Sequence, residues 1–297
     1  MNLNKKLTWN IAGAFSRYRA ILKYFEKKDI FDRYKKINVY DGIEMCSWNG
    51  GRLNQDIKYD ESLRDLYYSL GWSISLTFTN NTIDLSDKTG NFLLEKMHHE
   101  GNSVILINND LKEYIQNNFP KYRIIYSTVG CSFATYPMDN KTYKMYSKIA
   151  SSYDSFVPRS DNNFDDLLRL LPKDKIEILV SDTCILNCPL REKHYNRYAK
   201  LNKSIPSKED SSSYIGDCLI DKDTFTKRTN LMCKALKDRY PFFLHPYQIK
   251  KLILEGFYNF KIHGRDSDDT LMFKFLERYL VDYSQDISEN DYKWEWD

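Results

Sequence analysis

The chain has 297 residues, enough for one large α/β domain or two small ones with a substantial core. Its 44 Lys plus Arg nearly balance 41 Asp plus Glu, so it lacks the basic excess that nucleic acid demands, and nucleic acid is not indicated as a partner. No run of about 18 apolar residues is present, so no membrane span is expected. The polar first ten residues do not read as a secretory signal, and a cytoplasmic protein with reduced thiols is expected.

In chain order, Ile11, Phe15, Tyr18, Ile21, Leu22 and Phe25 fall at helical steps and predict a helix from about Ile11 to Lys36, an N-terminal helical segment over residues 1–36. Strand-like runs follow at Ile37 to Met45, Trp72 to Thr79, Ser103 to Ile107 and Tyr122 to Thr128. Four more read at Ser155 to Pro158, Ile176 to Val180, Pro241 to Leu244 and Phe257 to Ile262. Helical patterns lie between them: Glu61 to Leu70, Thr89 to His99, Leu111 to Asn118, Lys141 to Ser151, Phe164 to Leu171, Pro246 to Leu254 and Thr270 to Tyr283. Eight strands alternating with helices imply right-handed crossovers and a parallel sheet, most economically a TIM-like (β/α)8 barrel over residues 37–285, regular or distorted. A doubly wound open sheet is the rival, but no glycine-rich fingerprint follows the first strand. The polar run Asn202 to Ser213 predicts a loop inside a cysteine-containing insertion, about residues 184–238, after the sixth strand. Residues 286–297 form an acidic tail carrying Trp294 and Trp296.

Strand ends are where barrels place their chemistry, so the residues there are the first candidates. Cys184 and Cys188 follow the sixth predicted strand as C-x3-C, and Cys218 and Cys233 follow after twenty-nine and then fourteen intervening residues. Four thiolates complete either a tetrahedral zinc site or the corners of an iron–sulfur cluster. The spacing is not the paired C-x2-C of a zinc ribbon. It is not the radical-enzyme motif either, because Arg191 stands where a third cysteine is required. Four unrelated core thiols are the plain alternative. In the same loop, Arg191 offers a fork for a carboxylate or phosphate, or equally a salt bridge to an acidic helix face, and His194 is a spare ligand or a structural residue.

The segment Trp48-Asn49-Gly50-Gly51-Arg52 combines a stacking face, two permissive glycines and a second charged fork at the end of the first predicted strand. It reads as a substrate loop or as a tight turn. Asn80 could present an amide to a ligand or start an Asx turn, with Thr77 and Thr79 beside it. His263 closes the last strand together with Arg265, and titration near neutrality suits it to general acid–base work if it is not a hydrogen-bonded core residue. Cys46 and Cys131 read as core or as site thiols.

Three of these segments together resemble a known family. They are Tyr40 to Arg52, the run Asp182 to Tyr195, and Gly256-Phe257-Tyr258-Asn259-Phe260-Lys261-Ile262-His263-Gly264-Arg265, which resembles a late strand ending Lys-Ile-Glu-Gly-Arg with His263 in the glutamate's place. The family is the collagenase-like peptidases, family U32, with its ubiquinone-hydroxylation and RNA-modification relatives. The resemblance implies a TIM-like barrel and a 4Fe-4S cluster, with zinc as the alternative, on Cys184, Cys188, Cys218 and Cys233. It also implies a protein partner, because relatives work as heterodimers.

The expected function is an iron–sulfur barrel enzyme modifying a small-molecule or polymer-linked substrate at the carboxyl-terminal rim. In that reading His263, Arg191 and Arg52 are catalytic, and Trp48, Asn49, Arg265 and Asn80 bind substrate. The alternatives are a non-enzymatic binding barrel clamped by a structural metal, and a peptidase, for which no Ser-His-Asp order, zinc helix or nucleophile elbow is present.

Overall fold

The computed structural model describes residues 2–51, 54, 56–182, 191–202, 243–264 and 268–292. Eight parallel strands alternate with helices in chain order: β1 (Thr8–Ala12), α1 (Tyr18–Lys28), β2 (Lys36–Asp41), α2 (Glu61–Ser69), β3 (Ser73–Phe78), α3 (Lys88–Lys96), β4 (Ser103–Leu106) and α4 (Asn109–Asn118). Then come β5 (Arg123–Tyr126), α5 (Asn140–Ser152), β6 (Ser155–Phe156), α6 (Asp166–Arg169), β7 (Ile178–Leu179), α7 (Arg191–Leu201), α8 (Pro246–Leu254), β8 (Asn259–Ile262) and α9 (Asp269–Tyr279).

Each strand pairs with its neighbours in sequence, and β1 lies between β2 and β8. The two ends of this sheet, β6 and β7, meet through one parallel bridge, Phe156 to Ile176, reinforced by the Glu177 N–H donating to the Phe156 carbonyl at 2.9 Å. The sheet is thereby closed into a distorted (β/α)8 barrel.

The strands alternate, with most of the apolar side chains outward under the helices. Trp9, Ile11, Ile37, Val39, Ile74 and Leu76 are all buried there. The intervening positions face the lumen and are mostly polar. Asn38 donates to Asn10 at 2.9 Å and to Ser75 at 2.7 Å, Ser75 meets Ser103 at 2.6 Å, and Asn10 donates to Asn259 at 2.7 Å. Across the seam, Ser155 donates to Glu177 at 3.2 Å, and Lys261 pairs with Glu177 at 3.2 Å while lying 4.0 Å from the Tyr40 ring centroid. Buried polar groups are tolerated only when partnered, and this lumen partners them with one another.

Most of the helices begin on side-chain caps. Asp60, Asp87, Asn108, Asp139 and Asp268 each accept from a backbone N–H in the first turn, contributing about 1 kcal/mol apiece. The ring of helices is closed by α1 against α9, through Tyr24 edge-on to Phe273 and Lys28 paired with Glu277.

The expected N-terminal helical segment and the seventh expected strand differ from the structure. The helix expected from Ile11 begins at Tyr18, because Gly13 turns at φ +97° and residues 8–12 alternate as a strand; it ends at Lys28, where Asp29 adopts φ 49°. At the other end, Phe243 makes one antiparallel bridge to Ser181 and belongs to no barrel strand. The count of eight stands, but the strand before the cysteine run is the seventh. Of the insertion expected over about 184–238, residues 191–202 are described and carry α7; its other residues and the last residues of the tail lie outside the described residues.

Replacing Glu177 by Ala strands Lys261 in the lumen and removes a link across the seam. Urea unfolding is expected to show a loss of about 3–5 kcal/mol.

Candidate functional site

The strand ends at the carboxyl-terminal mouth surround a cleft of about 70 Å³. That is room for one functional group. Its floor is Tyr40, Thr77, Leu179 and Lys261, and its wall is Ser127, Thr128, Asp182, Tyr195 and His263.

Lys261 is 6% exposed and held between the Glu177 carboxylate below and the Tyr40 ring beside it. Tyr40 is itself fixed by its hydroxyl donating to the Ile262 carbonyl at 3.0 Å. His263 follows directly on the end of β8, two residues after Lys261, half-buried, its backbone N–H donating to the Ser181 hydroxyl at 2.8 Å. Asp182 receives the Ser160 hydroxyl at 2.8 Å and Arg191 Nη2 at 3.2 Å. Arg191, 1% exposed at the start of α7, thus aims its fork at a carboxylate of this chain. A second buried pair, Arg159 with Asp161, lies behind the same rim.

The loop after β2 reaches the cleft through Gly50 and Gly51. A Cβ on Gly50 would lie 2.3 Å from the Thr79 carbonyl oxygen, and Gly51 has φ +70°. Glycine is required at the first position by close approach and favoured at the second by conformation. Trp48 is fully buried behind the loop, its indole N–H donating to the Asp84 carbonyl at 2.6 Å and its ring edge-on to Phe78 at 5.1 Å. Asn49 donates to the Ile43 carbonyl. Asn80 donates to the carbonyls of Ser47 at 2.8 Å and Ala199 at 2.9 Å, tying the β2 loop, the β3 end and α7 together. These three side chains brace the frame around the opening.

Of the expected site residues, His263 lines the cleft, Arg191 buttresses it through Asp182, and Trp48, Asn49 and Asn80 hold its loops. Arg52, Arg265, Cys184, Cys188, Cys218 and Cys233 lie outside the described residues. Among the described residues, no group of three or more His, Cys, Asp or Glu side chains could hold a metal ion.

No family model and no curated protein matches the chain. A solved structure of a U32 peptidase aligns over 66% of this chain and 77% of that one, with 12% identity and a TM-score of 0.46. No helix among the described residues is long and apolar enough to cross a membrane.

Sequence reasoning passed over Lys261, Glu177, Tyr40, Asp182 and Tyr195. A signal for two of them was present: Lys261 and Glu177 are charged residues between apolar neighbours in a strand, Phe260-Lys261-Ile262 and Ile176-Glu177-Ile178. Together the cleft offers an ammonium, an imidazole and a carboxylate within a ring of hydroxyls, a set able to hold an anionic or carbonyl group and move a proton at it.

Cys46 and Cys131 are buried and free, and burial pushes both thiols up, Cys131 to about 12, against the opposing pull of Arg159 and Arg191. Folding therefore favours the protonated thiol. The Cys131 contribution to stability is whole below about pH 9 and is lost as pH rises towards about 12. Alkylation at pH 8 followed by peptide mapping is expected to leave both residues unmodified until the protein is unfolded. Gly50→Ala forces the loop off the Thr79 carbonyl and is expected to lower stability by about 1–3 kcal/mol in the same unfolding assay.

Proposed function

We propose that this chain is a barrel enzyme acting at the carboxyl-terminal mouth on a small or polymer-linked substrate that presents an anionic or carbonyl group. The observation that carries this reading is the buried Lys261, held upright at the floor of the cleft by Glu177 and Tyr40, with His263 just past the end of the same strand. A barrel needing only a packed core would fill that position with a branched apolar side chain. In this reading Lys261 binds and polarises the substrate group, His263 moves the proton, and the Arg191–Asp182 pair fixes the carboxylate edge of the cleft. The 70 Å³ cleft admits the reacting end alone, which suits a substrate carried on a longer molecule.

We further propose that Cys184, Cys188, Cys218 and Cys233 hold a 4Fe-4S cluster. The support is the sequence: the C-x3-C run begins two residues after Asp182, a residue of the cleft wall, so a group held there would border the site. When bound, such a cluster would supply electron transfer to chemistry at the mouth.

Anaerobic purification followed by absorption spectroscopy and iron and sulfide analysis is expected to give a brown protein, colourless when Cys184 and Cys188 are changed to Ser. Iron-free wild-type protein overturns the cluster. For the site, anaerobic protein with a reductant is incubated with a cell extract, and consumed species are identified by mass spectrometry. The turnover of any such species should fall about 100-fold or more in His263→Gln. Unchanged turnover removes His263 from the mechanism.

A further inference from the structure

The opposite, amino-terminal mouth of the barrel is also open. Thr8, Asn10, Asn38, Ser103 and Asn259 line a cavity of about 570 Å³ there, within the range of about 300–1,000 Å³ typical of small-molecule sites. Six cations ring it: Lys5, Lys6, Lys35, Lys36, Arg123 and Lys173. They come from the turn before β1, the starts of β2 and β5, and the turn before β7, so the fold converges them on one opening.

What these cations touch is neutral. Lys5 donates to the Asp32 carbonyl, Lys36 to the Gly101 carbonyl at 3.3 Å and Lys173 to the Glu255 carbonyl at 2.5 Å, while Lys6 lies 5.1 Å from the Tyr258 ring centroid. Among the described residues no carboxylate is paired with any of the six. The lining acids are Asp174 and Glu177, and Glu177 is engaged by Lys261. Lys36 is half-buried and its ammonium is pushed down by burial, then by the Arg123 and Lys35 charges, against the pull of Glu177.

The chain as a whole carries a net charge of only +3, so this is a local concentration and not a generally basic surface. An excess of like charges converging on a concavity works against the fold, and the amino-terminal face of such barrels ordinarily serves stability. A multivalent anion inside the mouth would remove the repulsion, with Arg123 as a fork and the lysines as point charges. The charges surround an opening instead of lying along a face, which favours a compact ligand entering end-on over a polymer laid across the surface.

We propose that the amino-terminal mouth is a binding site for a small oligophosphate, a ligand bearing two or more linked phosphate groups, separate from the carboxyl-terminal cleft. The site is tested on the full chain by calorimetric titration with inorganic tripolyphosphate and with ATP, at low and at raised salt. Binding of tripolyphosphate is expected, weakening steeply as salt rises. Lys36→Met with Arg123→Met should weaken it by about 100-fold, whereas Lys148→Met, on the exposed face of α5, should leave it unchanged. The exposed Lys5→Met and Lys35→Met pair provides a second test that does not disturb the lumen, with an expected loss of about tenfold. Equal affinity for the two ligands assigns recognition to the phosphates; tighter ATP binding adds a contact to the nucleoside. Absence of tripolyphosphate binding, or binding untouched in both double variants, overturns the proposal. So does a single-stranded oligonucleotide that binds more tightly than either ligand and loses affinity in the same variants.

Discussion

Glu177 and Lys261 meet where the barrel is weakest. Strands β6 and β7 are two residues long and share one bridge, so backbone pairing alone ties the seam poorly. Glu177 compensates from the side-chain layer: one carboxylate oxygen accepts from Ser155 of β6, and the other from Lys261 of β8. Desolvating two charges is costly, and such a pair is justified only if its geometry is good and its remaining valences are filled. Here they are, by Ser155 on one side and the Tyr40 ring on the other. The same contact that closes the cylinder raises an ammonium to the floor of the upper cleft.

The polar lumen follows from this arrangement. A barrel filled with large branched side chains is sealed at both ends. This one sets Asn10, Asn38, Ser75 and Ser103 in its interior, linked by hydrogen bonds at 2.6–2.9 Å, and these short side chains leave space that bulkier ones would occupy. Two openings result, with different chemistry. The upper combines an ammonium, an imidazole and a carboxylate with hydroxyls; the lower is ringed by cations facing neutral partners.

The fold was legible because its outer face obeys simple periodicities. Helix α8 occupies Pro246–Leu254, the range that its apolar spacing and proline predict, and the capping Asp and Asn residues stand where helices begin. Strand β1 was misread because Ile11 also fits the helical steps of Phe15 and Tyr18, and the turn at Gly13 that separates them leaves little trace in a hydrophobic pattern. The site was less legible. Trp48 and Asn80 have the chemistry of ligand contacts, yet tertiary partners such as Phe78, Asp84 and Ala199 decide that they brace loops. Arg191 has an internal partner in Asp182, nine positions away, which no local spacing rule would have singled out. The charged residues inside apolar strands were the readable clue, since a lone Lys or Glu at an alternating position must face either solvent or a functional interior.

The segments that flank the barrel on its two sides are knitted into each other. Asn4 donates to the Asp282 carboxylate and accepts from the Tyr283 N–H at 2.9 Å, and the Tyr34 hydroxyl reaches the Val281 carbonyl at 3.0 Å. Termini are normally where a domain frays first. With these contacts made, peeling of the barrel at Asn4 or at Tyr283 is resisted, and among the described strand pairings the weakest is the thin β6–β7 junction. The barrel should therefore breathe laterally, like a hooped cask whose one narrow stave loosens, at the strand that leads into the cysteine run.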